Sequence, residues 1–387
     1  MNTFQKFIQY YKPYKKVFIF DLICAAFISL VDLAYPQILR SLTKTLFLKD
    51  ASTILKTLPV IGGILFICYV FQAFCKYYVS CQGHIMGAQM ERDMRRKLFD
   101  HYENLSFSYY DQHNTGQMMS RLVSDLFDIS EAAHHGPENL FISLVKIVGS
   151  FIFLFIIQWK LAIILLVIVL LMIFFSAKQN RRMQATFLDN RRKIGDINAS
   201  LQDSLSGIRI VQSFANEDIE REKFRLGNEA FLDSKRDNYH AMGSFQSGNT
   251  FFQGMMYLVT LLAGGYFIAL GQMSAADLAM YALYIGIFIS PIQILVELTE
   301  MIQKGMSGFI RYQAIIDIEP EITDCVDAVD MKHPDGDICY HDVSFSYEDN
   351  EIVLNNIDFT IKSGKSVALV GPSGEIGRAS CRERVSY

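Results

Sequence analysis

The chain has 387 residues, of which 51% are hydrophobic and 20% are charged. This composition is too apolar for a soluble protein of that length, so we expect membrane-spanning helices. A formal net charge of −4 gives no reason to expect a nucleic-acid partner. The seven cysteines do not form a disulfide framework, which indicates a reduced protein that faces the cytoplasm.

Residues 1–16 predict a short amphipathic helix on the membrane surface. Apolar residues recur there at helical spacing, beside basic ones: Phe4, Phe7, Ile8 and Tyr11, with Lys6, Lys12, Lys15 and Lys16. The apolar run that follows is too long for the core of a signal peptide and ends without a small-residue cleavage site. Residues 17–39 are therefore predicted to be the first transmembrane helix.

Further apolar stretches are long enough to cross a bilayer, which brings the predicted spans to six. They are residues 17–39, 58–78, 141–157, 161–177, 251–270 and 278–298. Only Gln158, Trp159 and Lys160 separate the third span from the fourth, so these two are predicted to form an antiparallel hairpin. The whole transmembrane domain is predicted to occupy residues 17–305.

The distribution of lysine and arginine predicts the orientation. The hydrophilic stretches 83–137 and 178–244 contain five and twelve such residues, whereas 158–160 contains one and 271–277 contains none. Because basic residues favour the cytoplasmic side, both long stretches are predicted to be cytoplasmic. The basic residues around the first external loop, among them Arg40 and Lys44, argue weakly against this. We expect a multi-pass protein of the plasma (inner) membrane with both termini in the cytoplasm.

The two long cytoplasmic stretches are predicted to be helical. Residues 90–105 and 199–232 carry apolar side chains at i, i+3 and i+4, the pattern of an amphipathic helix. The spans are therefore expected to continue as helices well beyond the bilayer. The fold class that follows is a mostly α membrane protein.

Ionisable side chains inside the predicted spans are candidates for function, because a charge in the bilayer is costly. Asp32 is the most ambiguous: it either lines a substrate path or is simply paired or solvated. A second group lies close enough to the interface to be solvated or paired: Asp21, Lys146, Glu297 and Glu300. His134 and His135 suggest a metal site, but no third ligand is spaced near them, so we expect loop residues and no metal.

The C-terminal part predicts strands after an acidic linker at residues 306–335. Val343, Phe345 and Tyr347 alternate with polar residues, and Ile357, Phe359 and Ile361 do the same. Residues 367–370 predict a short strand buried on both faces. It leads into a glycine-rich turn: Gly371, Pro372, Ser373 and Gly374. Such a turn after a buried strand is typical of a loop whose backbone N–H groups surround phosphates.

This run, over residues 336–374, resembles the start of an ABC-transporter nucleotide-binding domain. The resemblance implies that Tyr347 stacks on the adenine ring of ATP. It also implies that Gly371, Pro372, Ser373 and Gly374 wrap the phosphates of ATP, which the family binds with Mg²⁺. The predicted fold is thus a six-helix exporter domain followed by the first β-strands of a P-loop ATPase domain.

The membrane half is similar to type I ABC exporters in two cytoplasmic segments. The first contains Phe107-Ser108-Tyr109-Tyr110-Asp111 and Thr115-Gly116-Gln117, and the second runs from Ser206 to Glu217. In that family, short coupling helices in these segments sit on the nucleotide-binding domains. The residues implied are Tyr109, Tyr110, Asp111, Thr115 and Gly116, and then Ser213, Phe214, Ala215, Asn216 and Glu217.

The resemblance ends inside the P-loop. The family has Gly, Lys and Ser or Thr where this chain has Ile376, Gly377 and Arg378, so the lysine for the phosphates and the hydroxyl for Mg²⁺ are missing. Residues 375–385 look like the translation of a common sequencing adapter, and we expect 375–387 to be non-native. This chain is therefore expected to be truncated within the P-loop and inactive as an ATPase.

Two functions are compatible with the sequence. The first is half of an ATP-driven exporter that works by alternating access, as a homodimer or as a heterodimer with a paralogous half-transporter, on a drug, lipid or peptide substrate. The alternative is a non-catalytic membrane fragment with at most a scaffold role. A soluble ATPase is excluded by the six spans.

Overall fold

The computed structural model describes residues 3–325, 327–329, 335–346 and 352–368. The chain divides into two compact units, residues 1–322 and 323–387. The described part of the first unit is helical, whereas the regular structure described in the second unit is a pair of strands. This agrees with the predicted fold class.

The α-helices of the first unit vary in length from six to 81 residues. In chain order they are α1 (Thr3–Gln9), α2 (Lys15–Ser41), α3 (Ala51–Tyr78), α4 (His84–Glu103), α5 (Phe107–Gln112), α6 (Thr115–Ser120), α7 (Leu126–Ser206), α8 (Ile208–Ser213), α9 (Glu217–Ala269) and α10 (Ala275–Ile316). Among the described residues, five continuous helical stretches are long and apolar enough to cross a membrane: Thr3–Leu46, Ala51–Glu103, Thr115–Ser206, Glu217–Ala269 and Ala275–Ile316.

The longest helix, α7, is two helices that meet at Gln158, where φ is −154° and ψ is 92°. Before this break, Asp125 accepts hydrogen bonds from Arg311 at 2.6 and 2.7 Å. Leu154 accepts one from the Tyr281 hydroxyl at 2.7 Å. Residue numbers thus rise along α7 while they fall along α10, so the first half of α7 runs antiparallel to α10.

The second half of α7 runs the other way. The Asn180 amide donates to the Val296 carbonyl oxygen at 3.4 Å, and the Gln184 amide donates to Glu300 at 3.4 Å. This half is parallel to α10, and the two halves of α7 are therefore antiparallel to each other. The predicted hairpin at residues 158–160 is confirmed, and the five stretches supply six apolar helical segments.

Aromatic side chains from α10 fill the core between it and both halves of α7. Tyr281, Tyr284 and Phe288 are fully buried. The Tyr284 ring stacks on Phe153 at 5.7 Å between centroids, and its hydroxyl donates to the carbonyl oxygen of Leu33 at 2.9 Å. In lipid, helix association depends on such close packing and interhelical hydrogen bonds rather than on a hydrophobic driving force.

Glycines in α10 bring that helix into backbone contact with α7. A Cβ atom on Gly305 would lie 2.3 Å from the Cβ of Ala132 and 2.9 Å from the carbonyl oxygen of Asp128. A Cβ atom added to Gly308 would lie 3.1 Å from the carbonyl oxygen of Asp125. Any larger residue at these positions would push the two helices apart.

The N-terminal helix α1 is shorter than predicted, and its apolar face is divided. Phe7 is buried, and its ring meets Phe309 edge to face at 5.1 Å, so that side chain faces protein rather than lipid. Lys6 forms an ion pair with Asp317 at 2.9 Å. Lys6 and then Gln313 hold the pKa of Asp317 below its usual value. Phe4 remains exposed, and the membrane-surface location of α1 stays a prediction.

The boundary predicted between the membrane domain and the linker is too early. Helix α10 continues to Ile316, and Phe309, Tyr312 and Ile315 on it are buried. Residues 306–316 therefore belong to the helical unit because their apolar face packs into it. The acidic composition that suggested a linker belongs mainly to the residues after the helix.

In the second unit, β1 (Ile338–Ser346) pairs antiparallel with β2 (Ile352–Ile361). Val343 lies opposite Ile357, and the rings of Tyr340 and Phe359 stack at 4.5 Å. The two strands predicted from the alternation of apolar and polar residues are thus confirmed. The third predicted strand is not formed at residues 367 and 368, and its remaining two residues lie outside the described part.

Candidate functional site

The first predicted coupling segment folds as two short helices, α5 and α6. Tyr109, Tyr110 and Asp111 lie in α5, and Thr115 and Gly116 open α6. The hinge between them is set by Asn114, whose side chain accepts a hydrogen bond from the backbone N–H of Gly116 at 2.8 Å. Such a side-chain cap satisfies a donor that a helix start leaves unpaired.

Two tyrosines attach α5 to the end of α4. Tyr109 is buried, and its ring lies 6.1 Å from that of Tyr102 in α4 and 4.1 Å from that of His113, between centroids. The Tyr110 hydroxyl donates to the carbonyl oxygen of Tyr102 at 2.5 Å. Of the predicted contact residues here, Tyr109 therefore supports the segment from inside, whereas Tyr110 is partly exposed and available to a partner.

The second predicted coupling segment forms the tip of the α7–α9 pair. Ser213 ends α8, and Phe214, Ala215 and Asn216 make a tight turn before Glu217 begins α9. Ala215 has φ of +49°, a conformation that non-glycine residues rarely adopt. Phe214 is 73% exposed, so the turn presents an aromatic ring to its surroundings.

Asp32 is held by partners from two other helices. The Lys146 ammonium lies 2.6 Å from one carboxylate oxygen, and the Gln72 amide donates to the other at 2.8 Å. Lys146 is thus paired, as expected. An apolar cavity of about 580 Å³ lies beside this pair, lined by Leu30, Leu33, Ala34, Val145, Gly149 and Phe153 among others.

The remaining ionisable residues of the spans divide into two groups. Glu300 is paired with Lys304 at 2.6 Å, and Glu297 is exposed, as expected for solvated or paired groups. Asp21 differs, because it is 1% exposed and its Oδ1 has no hydrogen-bond partner.

The loop prediction for His134 and His135 is wrong: both lie within α7, and the helix continues past Pro137.

At the opposite end of the helices, Asp277 forms a cluster that was not predicted from the sequence. It accepts hydrogen bonds from Arg40 and Lys44, each at 2.6 Å. It also forms a reciprocal capping box with Ser274 at the start of α10. The spacing Ser274-x-x-Asp277 before an apolar run is the sequence pattern that could have predicted this capping box.

The residues implied to bind ATP lie outside the described part of the chain. These are Tyr347 after β1 and the turn formed by Gly371, Pro372, Ser373 and Gly374. What is described is the strand pair β1 and β2, beside which Asp337 accepts a hydrogen bond from Lys362 at 2.6 Å. The assignment of the ATP contacts stays a prediction.

Comparison with known proteins shows the family of the helical unit. A family model described as the ABC transporter transmembrane region matches residues 18–292. The chain is 37% identical over 371 residues to the uncharacterized ABC transporter ATP-binding protein YwjA of Bacillus subtilis, and the match covers 96% of this chain and 64% of that protein. The chain belongs to the ABC transporters.

Other ABC transporters match at lower identity. An ATP-dependent lipid A-core flippase of Syntrophus aciditrophicus is 24% identical, over 97% of this chain and 62% of the flippase. A putative multidrug export ATP-binding/permease protein, YgaD of Bacillus subtilis, is 25% identical, over 97% of this chain and 65% of YgaD. The chain thus spans just under two thirds of the length of these relatives.

Proposed function

We propose that this chain belongs to a half-transporter of an ATP-driven exporter, located in the plasma (inner) membrane with both termini in the cytoplasm. The observation that carries the proposal is the exposed turn at Phe214 on a long helix pair, in a chain whose membrane half matches the ABC transporter family. The proposed coupling residues are those predicted from the sequence. A second half-transporter, identical or paralogous, is required as the partner.

The α7–α9 pair is suited to transmit movement between the cytoplasm and the membrane. Helix α9 has 53 residues, which corresponds to a length of about 80 Å. Hydrogen bonds join it to α7 along this length, from Ser176 with Asn249 at 2.5 Å, through Asn190 with Ser234 at 3.0 Å, to Ser204 with Glu220 near the tip. A displacement of the turn is therefore transmitted to the apolar segments by two helices that hydrogen bonds hold together.

Binding and hydrolysis of ATP with Mg²⁺ by the nucleotide-binding domains supply the free energy of the proposed cycle. The tip at Phe214 and the partly exposed Tyr110 would receive the movement of those domains. The helices attached to them would then rock as rigid bodies, which alternately opens the substrate path to either side of the membrane. This is the alternating-access cycle.

The cavity beside Asp32 supports an apolar or amphipathic substrate. Its lining is almost entirely aliphatic and aromatic, and the paired Asp32 and Lys146 are the sequence neighbours of two lining residues, Leu33 and Val145. The names of two relatives, a lipid flippase and a multidrug exporter, are compatible with such a substrate. We propose the lipid or drug class on this basis.

The test uses the full-length protein reconstituted in liposomes, with a fluorescent phosphatidylethanolamine and ethidium as probes. We expect ATP-dependent movement of at least one probe. Phe214→Glu should abolish that movement while most ATPase activity remains, because only the coupling is lost. Leu226→Glu, at an exposed apolar residue on α9 away from the turn, is the control and should leave both transport and ATPase activity unchanged. Absence of ATP-dependent movement of either probe would favour the scaffold alternative.

A further inference from the structure

Three histidines meet where α4 begins beside α7. The ring centroids of His84 and His134 are 4.6 Å apart, those of His84 and His135 are 4.9 Å apart, and those of His134 and His135 are 4.6 Å apart. One nitrogen from each of the three rings lies within 4.8 Å of the others. The third histidine is 50 positions away in the sequence, which is why spacing alone did not reveal it.

A glycine at position 83 gives His134 its place in this cluster. A Cβ atom on Gly83 would lie 2.2 Å from the Cε1 atom of His134 and 3.0 Å from both ring nitrogens. A Cβ atom added to Gly87, one turn later, would lie 3.4 Å from the Cβ of His134. Because these two glycines have no side chains, there is room beside them for the imidazole of His134.

Two carboxylates adjoin the imidazoles. Glu138 follows His134 by one turn, and its Oε2 lies 3.5 Å from His134 Nε2 and 4.0 Å from His135 Nδ1. Asp21 of α2 approaches from another helix, so that Asp21, His134 and Glu138 each offer a ligand atom within 4.8 Å of the others. His134 thus belongs to two overlapping groups of donor atoms, one with His84 and His135 and the other with Asp21 and Glu138.

The central members of the cluster lack hydrogen-bond partners. His134 is 3% exposed, and neither its Nδ1 nor its Nε2 forms a hydrogen bond, although Nε2 lies 3.5 Å from Glu138 Oε2. Oδ1 of the buried Asp21 forms no hydrogen bond either. Burial of a polar group without compensation is unfavourable by a few kcal/mol, so such groups in a native protein require an explanation. A cation bound here would coordinate one of the two His134 nitrogens and would place a positive charge beside the buried Asp21 carboxylate.

We propose that His84, His134 and His135, with Glu138 as the fourth ligand, bind a divalent transition-metal ion of the Zn²⁺ type. Imidazole nitrogens suit Zn²⁺, Cu²⁺ and Ni²⁺, whereas Mg²⁺ and Ca²⁺ prefer oxygen ligands. Tetrahedral Zn²⁺ with bonds of about 2.0–2.1 Å needs donors about 3.4 Å apart. The three imidazole nitrogens, which lie within 4.8 Å of one another, would therefore approach one another by up to about 1.4 Å on binding. The exposed His84 provides the route by which the ion enters.

The test titrates ZnCl₂ into the purified chain in detergent, after removal of any polyhistidine tag, by calorimetry. We expect one ion per chain. His84→Gln should weaken binding at least about tenfold, since even partners outside the first coordination shell contribute 10–100-fold. The exposed position of His84 keeps this variant folded, whereas His134→Ala, which should abolish binding, also removes a buried ring. His240→Gln, at an exposed histidine on α9, is the matched control and should bind as the original chain does.

Cobalt provides a second readout, because Co²⁺ in a tetrahedral nitrogen and oxygen site absorbs in the visible range without a strong near-ultraviolet thiolate band. We expect this spectrum from the original chain and its loss in His84→Gln. Equal Zn²⁺ affinity of the original chain and His84→Gln, or no binding by either, would overturn the proposal. A thiolate band would also overturn it, since it would assign the ion to a cysteine such as Cys81 instead.

Discussion

The ammonium group of Lys146 on α7 lies 2.6 Å from the carboxylate of Asp32 on α2, and the two are 114 positions apart in the sequence. Each charge alone would be costly at this depth, and each makes the other tolerable. Gln72 from α3 supports the same carboxylate. One polar cluster therefore connects three helices beside the apolar cavity.

Lys146→Met should destabilise the chain, because it leaves the Asp32 carboxylate without its cation. Breaking a fully buried pair costs about 3–5 kcal/mol; here the two side chains are 20% and 31% exposed, so we expect about 1–3 kcal/mol. Heating in detergent followed by gel filtration measures the loss of folded protein. The double variant Asp32→Asn/Lys146→Met should recover most of the stability. If both variants were equally unstable, the pair would not be the cause.

Gly305→Ala should destabilise the contact between α7 and α10, although alanine is the better helix former by about 1 kcal/mol. The added methyl group would meet Ala132 and the backbone oxygen of Asp128, and overpacking of this kind costs about 1–3 kcal/mol. Gly243→Ala is the control, because no atom lies within 4 Å of its added Cβ. The same heating assay should show a loss for the first and none for the second. An unchanged Gly305→Ala would show that the helices separate without cost.

Asp277→Asn should loosen the join between α2 and α10, since it removes the negative charge shared by Arg40 and Lys44. A capping residue alone is worth about 1 kcal/mol, and Ser274→Ala should cost about that much. Asp277→Asn should cost more, because two cations also lose their partner. Hydrogen exchange of the first turns of α10, compared between the two variants, measures this. Faster exchange in Ser274→Ala than in Asp277→Asn would contradict the expectation.

The proposed topology predicts where fused reporters are active. A reporter that works only in the cytoplasm should be active when fused after Gly336 and inactive when fused after Trp159. The reason is the excess of Lys and Arg in the two long hydrophilic stretches. A periplasmic reporter at the same two positions is the control and should give the reverse pattern. The opposite result would invert the orientation of every span.

Elements that depend on local pattern could be predicted from the sequence, and pairs that depend on packing could not. The hairpin at Gln158 follows from two apolar runs with a three-residue gap, and β1 and β2 follow from alternation. The meeting of His84 with His134 depends on the rotation of two helices about their axes, which one sequence does not specify. His134 lies in a helix rather than the expected loop, and that helix continues past Pro137 because a proline is tolerated where neighbouring helices support the chain.

The turn of the α7 hairpin can be followed by tryptophan fluorescence. Trp159 is its single tryptophan, it lies next to Gln158 at the turn, and its indole ring is 56% exposed with the Lys160 ammonium 5.9 Å from the ring centre. All tryptophan emission therefore originates at one end of one hairpin. Quenching by lipids brominated at different acyl positions would report the depth of that turn in the bilayer, with no label attached to the protein.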